Sequence, residues 1–168
     1  MNKTPHIMYV EGVKGEVREP GFQDWIYVES VSKGISNRAV KKGSALASST
    51  AEFDPFRVTK ALDKSSPQLF MTAVTGRQIP EIKVVFRRVG KMDPKTGGST
   101  LEPYMEWVFK DCHIESITMS GASLGDPSET MRIYYAEQRE SFFTLQDGKK
   151  KDTAVGSWSM RTRTGSVA

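Results

Sequence analysis

A chain of 168 residues with 38% hydrophobic and 26% charged residues has material for one packed core and too little for two comfortable ones, so a single domain over 1–168 is expected. Its 24 basic and 20 acidic residues, net charge +4, are spread along the chain without the interleaving of basic and aromatic residues that nucleic-acid binders concentrate on one face, which favours solvated surface charge. The single cysteine, Cys112, excludes an internal disulfide, and no apolar run reaches the length of a transmembrane helix or, within MNKTPHIMYVEG, of a signal-peptide core.

Short blocks of alternating apolar and polar residues, separated by Gly, Pro, Asp and Ser clusters, predict a mainly β chain with antiparallel strands. The first strands are Ile7 to Gly12 and Trp25 to Ser32. In the second, strict alternation puts Ile26, Val28, Ser30 and Ser32 on one face and Trp25, Tyr27, Glu29 and Val31 on the other. Lys33 to Glu52 holds about twenty small and polar residues with neither period sustained, which reads as a long loop with a function. A strand at Pro55 to Thr59 leads to a helix that Ser66 caps and Pro67 opens. Leu69, Phe70, Ala73 and Val74 form its apolar stripe, Met71 is read as core filler, and Gly76 ends it in the left-handed conformation. A helix this short is marginal alone and has to be held by packing on a sheet.

Glu81 to Val89 is the next strand, and Lys91 to Thr100 reads as an extended hairpin loop rich in turn residues. Tyr104 to Ser120 is the best-defined strand, with Met105, Trp107 and Phe109 on one parity and Glu106, Val108 and Lys110 on the other. Asp111 interrupts the apolar face, and a bulge near Cys112 is expected. Glu129 to Ala136, Glu140 to Gln146 and Gly156 to Thr162 complete the strands, with the pairing of these late strands left open by the polar run EQRESFF. The lysine cluster Lys149 to Lys151, and Arg161 and Arg163, read as solvated loop.

No catalytic, cofactor or metal site emerges. Cys112 and His113 are adjacent on a strand and point to opposite faces, which prevents a thiol–imidazole pair. His6 sits near a terminus expected to fray, and two histidines with one cysteine assemble no zinc ligand set. GGST at Gly97 to Thr100 lacks the lysine and following helix of a phosphate loop.

The run Thr59, Lys60, Asp63, Lys64, Ser65, Ser66, Pro67, Leu69, followed by a short helix, a glycine and an alternating strand, resembles the haemolysin-coregulated protein (Hcp) family of the bacterial type VI secretion system. Four further segments fall in the family's order: Gly12 to Glu16, Ser32 to Ser36, Tyr104 to Gly121 and Gly156 to Arg161. The resemblance implies a compact antiparallel β-barrel with one short α-helix, similar to phage tail-tube subunits. It implies a homo-hexameric ring that stacks into the inner tube, carries effectors in its lumen and meets the spike protein and the contractile sheath. The subunit itself would be cytoplasmic before firing and then secreted without a signal peptide, with no enzymatic activity, no nucleic acid and no stable membrane insertion. Ser30 and Ser32 would face the lumen and its effectors, while Lys41, Lys42, Ser44 and Leu46, in the 33–52 loop, would meet a neighbouring subunit or ring. Two other readings stay open: a monomeric β-barrel that binds a small ligand or single-stranded nucleic acid, and a small hydrolase that uses Cys112 or scattered carboxylates.

Overall fold

The core strands of this protein carry apolar side chains on one face, and the fold is the way two sheets bury those faces against each other. The computed structural model describes residues 6–48, 50–92, 99–121, 123–146 and 149–168. The strands in chain order are β1 (His6–Val10), β2 (Ile26–Val28), β3 (Ser30–Ser32), β4 (Ile35–Ser36), β5 (Ala39–Lys42), β6 (Ala45–Ser48), β7 (Glu52–Phe53) and β8 (Phe56–Ala61). The helix α1 (Ser66–Thr75) follows, then β9 (Ile79–Met92), β10 (Ser99–Ser120), β11 (Ser128–Tyr134), β12 (Glu137–Gln146), β13 (Lys149–Ser159) and β14 (Thr164–Val167).

β10 belongs to both sheets. Its first half pairs with β9 on one side and β12 on the other, up to Lys110 and Cys112, and its second half pairs with β11 from His113 onward. The larger sheet therefore runs β14-β13-β12-β10-β9-β1-β2 and the smaller one β10-β11-β8-β3, all antiparallel. Asp111, at φ 52, marks the bend between the two halves. The expected bulge near Cys112 is displaced: the register with β11 slips between Ile114 and Ser116.

A second crossing lies at Glu29, whose amide donates to Thr59 O while β2 stays with β1 and β3 joins β8. This break overturns the single alternation expected for Trp25 to Ser32. Ile26 and Val28 are fully buried, yet Ser30 and Ser32 are exposed and Val31 packs on the core. Changing sheets inverted the parity. Among the described residues the path of paired strands stays open, ending on β14 and β3 with β2 paired only to β1, so the expected closed barrel does not form, although the mainly β class with one short helix holds.

Phe109 of the larger sheet stacks on Phe56 of the smaller one, with ring centroids 4.1 Å apart and planes 9° from parallel, and both are fully buried. Tyr135 and Trp107 close on Phe109 at 4.7 and 6.3 Å, and the ladder continues through Phe86 to His6. His6 is thus held in β1 against Phe86, not frayed. Burial, and then the charge of Arg87, lower its pKa below the ordinary 6.5. A group whose folded pKa is lowered binds fewer protons folded than unfolded in the window between the two values. Stability is therefore full above pH 6.5 and declines as pH falls toward the folded value. In urea titrations across that range, His6→Gln is expected to flatten the decline; an unchanged slope would refute the assignment.

The helix differs in detail from its expected stripe. Ser66, Leu69 and Thr72 are its buried residues, whereas Phe70, Met71 and Val74 are exposed on its outer flank. The buried line follows every third residue because the helix meets the sheet along a narrow track next to β10. Gly76 does end it, at φ 64, with its amide and that of Arg77 bonded to Ala73 O and Thr72 O. The cap residue is Ser65 rather than Ser66, and it makes no side-chain cap bond. Late in the chain, Lys149 to Lys151 lie in β13 instead of a loop, and β14 went unread because Thr164–Val167 is short and polar. Most of the Lys91 to Thr100 hairpin, residues 93–98, lies outside the described residues.

Candidate functional site

The Thr-Lys-x-x-Asp-Lys-Ser-Ser-Pro run is a buried polar staple. Lys60 points into the protein from β8 and is fully buried, and Glu129, directly opposite it on β11, is buried with it. Lys60 Nζ lies 2.7 Å from Glu129 Oε1 and 2.9 Å from Asp63 Oδ1, and it also donates to Ala61 O and Ser66 Oγ. Ser66 Oγ donates to Glu129 Oε1 at 2.9 Å and accepts from the Asp63 amide, while Asp63 Oδ1 accepts from the Ser65 amide. One cation thereby ties the first turn of α1 to two strands of the smaller sheet. The role of these residues is architectural, and Glu129 is the partner that sequence reasoning missed.

The staple fills the inner side of β8 and β11, so their outer side carries the alternate residues. Register places Ser30 beside Thr59, Thr59 beside Thr130 and Thr130 beside Thr118; in the next row Ser32 lies beside Arg57, Arg57 beside Arg132 and Arg132 beside Ser116. Thr59 and Thr130 hydroxyls are 3.0 Å apart, and Arg132 Nε is 3.0 Å from Glu115 Oε2. The outer face of the smaller sheet is thus a lawn of hydroxyls with two arginines, and both Ser30 and Ser32 stand on it. The outer face of the larger sheet holds a groove of about 610 Å³ whose charges alternate in sign, among them Glu81, Lys83, Glu106 and Lys110. Lys83 and Glu81 pair there at 2.9 Å.

The 33–52 segment is not a loop. Among the described residues β5 and β6 form a hairpin arm that pairs only with itself, with Gly43 at φ 64 in its turn, and β4 with β7 forms its stalk. Small residues such as Ala45 and Ala47 hid the strands, because neither face of the arm packs on the core and no apolar alternation was required. Lys41, Lys42, Ser44 and Leu46 are all exposed on it, Leu46 at 75%, with Val40 and Ile35 also exposed. At the stalk's base Lys33 Nζ meets Glu140 Oε2 at 2.9 Å and Gln138 Oε1 at 3.2 Å and sits 4.5 Å from the Trp107 ring centre. Tyr135 lines the same corner, and burial, with the charges of Asp54 and Glu140, raises its pKa to about 12.

Cys112 is fully buried, and burial, followed by the charge of Asp111, pushes its thiol up to about 12, whereas His113 is exposed. A thiol so placed is not a nucleophile at neutral pH. Among the described residues no group of three His, Cys, Asp or Glu side chains is arranged to hold a metal, and no helix is long and apolar enough to cross a membrane.

Residues 7–142 match the family model described as type VI secretion system effector, Hcp. Among solved structures, a type six secretion system protein superposes with a TM-score of 0.80 at 23% identity, covering 96% of this chain and 98% of the other. Hcp1 from Salmonella typhimurium follows at 0.72 and 18%, covering 96% and 97%. A type VI secretion system effector from Yersinia pestis gives 0.69 and 17%, covering 92% and 98%. No curated protein sequence matches. With the sequence model spanning most of its length and the fold shared end to end, the chain belongs to the Hcp family of type VI secretion system tube proteins.

Proposed function

We propose that this chain forms hexameric rings that stack into the inner tube of a type VI secretion system and hold effectors in the lumen, and that it is exported with them. The observation that carries the reading is the unfinished state of the single subunit. Among the described residues β2, β3 and β14 are each paired on one side only, and the arm is a two-stranded hairpin with apolar Val40 and Leu46 in solvent. An isolated hairpin is marginal in water, and an open edge invites pairing. Identical neighbours related by rotation satisfy both at once, and a rotation that closes gives a ring. Lys41, Lys42, Ser44 and Leu46 then lie in the contact between subunits or rings, and the hydroxyl face with Ser30 and Ser32 lines the channel, where effectors are held. Spike and sheath meet the tube's remaining surfaces.

Native mass spectrometry is expected to give a species of about six subunit masses, and negative-stain images an annulus viewed end-on; a lone subunit at every concentration would overturn the reading. Ser32→Gln is expected to lower effector retention in pull-downs while the ring persists, and loss of the ring in this variant would count against the lumen placement.

A further inference from the structure

We propose that Arg57 and Arg132 form a receptor for carboxylate side chains, so that the acidic surface of a passenger protein docks on this face; the identity of the passenger rests on the proposed lumen reading. The two arginines are direct cross-strand partners on β8 and β11 and point to the same exposed side. Like charges placed opposite each other in a sheet are destabilising, so their juxtaposition costs the fold stability. With Ser32, Lys33 and Asp54 they border a cavity of about 400 Å³.

The cations around it are unequal. Lys33 is committed to Glu140 at 2.9 Å, and Arg132 to Glu115 at 3.0 Å. Arg57 has no ion-pair partner among the described residues, and Asp54, at the rim, lies beyond ion-pair distance from it. One guanidinium fork is thus left open, with the Ser32 residue beside it in register and a second guanidinium next door. A fork of parallel N–H donors matches a carboxylate bidentately. A single uncommitted positive charge with an aspartate nearby suits a monoanion better than a phosphate dianion, whose second charge would meet Asp54.

The test is fluorescence anisotropy of a labelled hexaglutamate peptide on the intact protein at low salt. Binding is expected, with salt sensitivity, to weaken at least about tenfold in Arg57→Gln, to persist in Arg161→Gln, and to be absent for hexalysine. Acetate should compete at least as well as inorganic phosphate at equal concentration. No binding by the unaltered protein, equal loss in Arg161→Gln, or much stronger competition by phosphate would each overturn the proposal. Binding can be read on single subunits as well as rings, so failure of ring assembly and failure of this receptor are separate results.

Discussion

Lys60→Met is expected to destabilise the subunit by about 3–5 kcal/mol, because it leaves the carboxylate of Glu129 in the interior without its cation. Glu129 is then held by the Ser66 hydroxyl alone among the contacts described, and its Oε2 already has no partner among the described residues. Removing both charges should be far milder. The double variant Lys60→Met/Glu129→Leu strands no buried glutamate and leaves only Asp63 without its cation, with the Ser65 amide and hydroxyl still donating to it, so its cost should be the smaller one. Urea unfolding at one fixed protein concentration reads the difference. If the single variant costs less than about 1 kcal/mol, the staple is not what fastens α1 to the sheet.

Phe109→Ala should cost about 3–5 kcal/mol through the cavity left at the junction of the two sheets. The ring contacts Phe56, Tyr135 and Trp107, so its loss removes partners on both layers at once. Phe109→Leu keeps most of the volume and forgoes mainly the aromatic contacts, worth about 1 kcal/mol beyond area burial. The same urea series tests this, and an equal cost for Leu and Ala would show that ring geometry rather than filled space is what the junction requires.

Both effects bear on assembly. The aromatic junction holds one sheet against the other and the staple holds α1 on the smaller sheet, and together they set the direction of the unpaired strand edges and the arm. A subunit that closes into a ring needs those directions held, since small errors accumulate around a rotation. Ring yield in Phe109→Leu is therefore a more sensitive readout than its unfolding midpoint.

Much of the architecture was legible in local signals. Alternation marked Trp107 and Phe109 as the inward parity of β10, and Gly76 ended the helix where expected. The motif containing Lys60, Asp63, Ser65 and Ser66 pointed to the family before its physical purpose was visible. Ser30 and Ser32 were placed on a face by an alternation that the break at Glu29 inverts, yet both emerge exposed. The arm was missed because strands that pack on nothing in their own chain leave no hydrophobic period. Met71, Phe70 and Val74 were assigned inward because periodicity states which residues share a stripe, not how wide a track the sheet offers.

By itself, then, the order of residues determined the core strands and the helix, the family and the absence of an internal crosslink, since these depend on short-range spacing and composition, but it did not mark the arm strands β5 and β6 or the short β14. Only the tertiary structure decided which strand meets which, where β2–β3 and β10 change sheets, and that Ser66 would find Glu129 from 63 positions away. Those outcomes come from pairing across long loops, whose free energy is a property of the assembled core and is written in no single window of the chain.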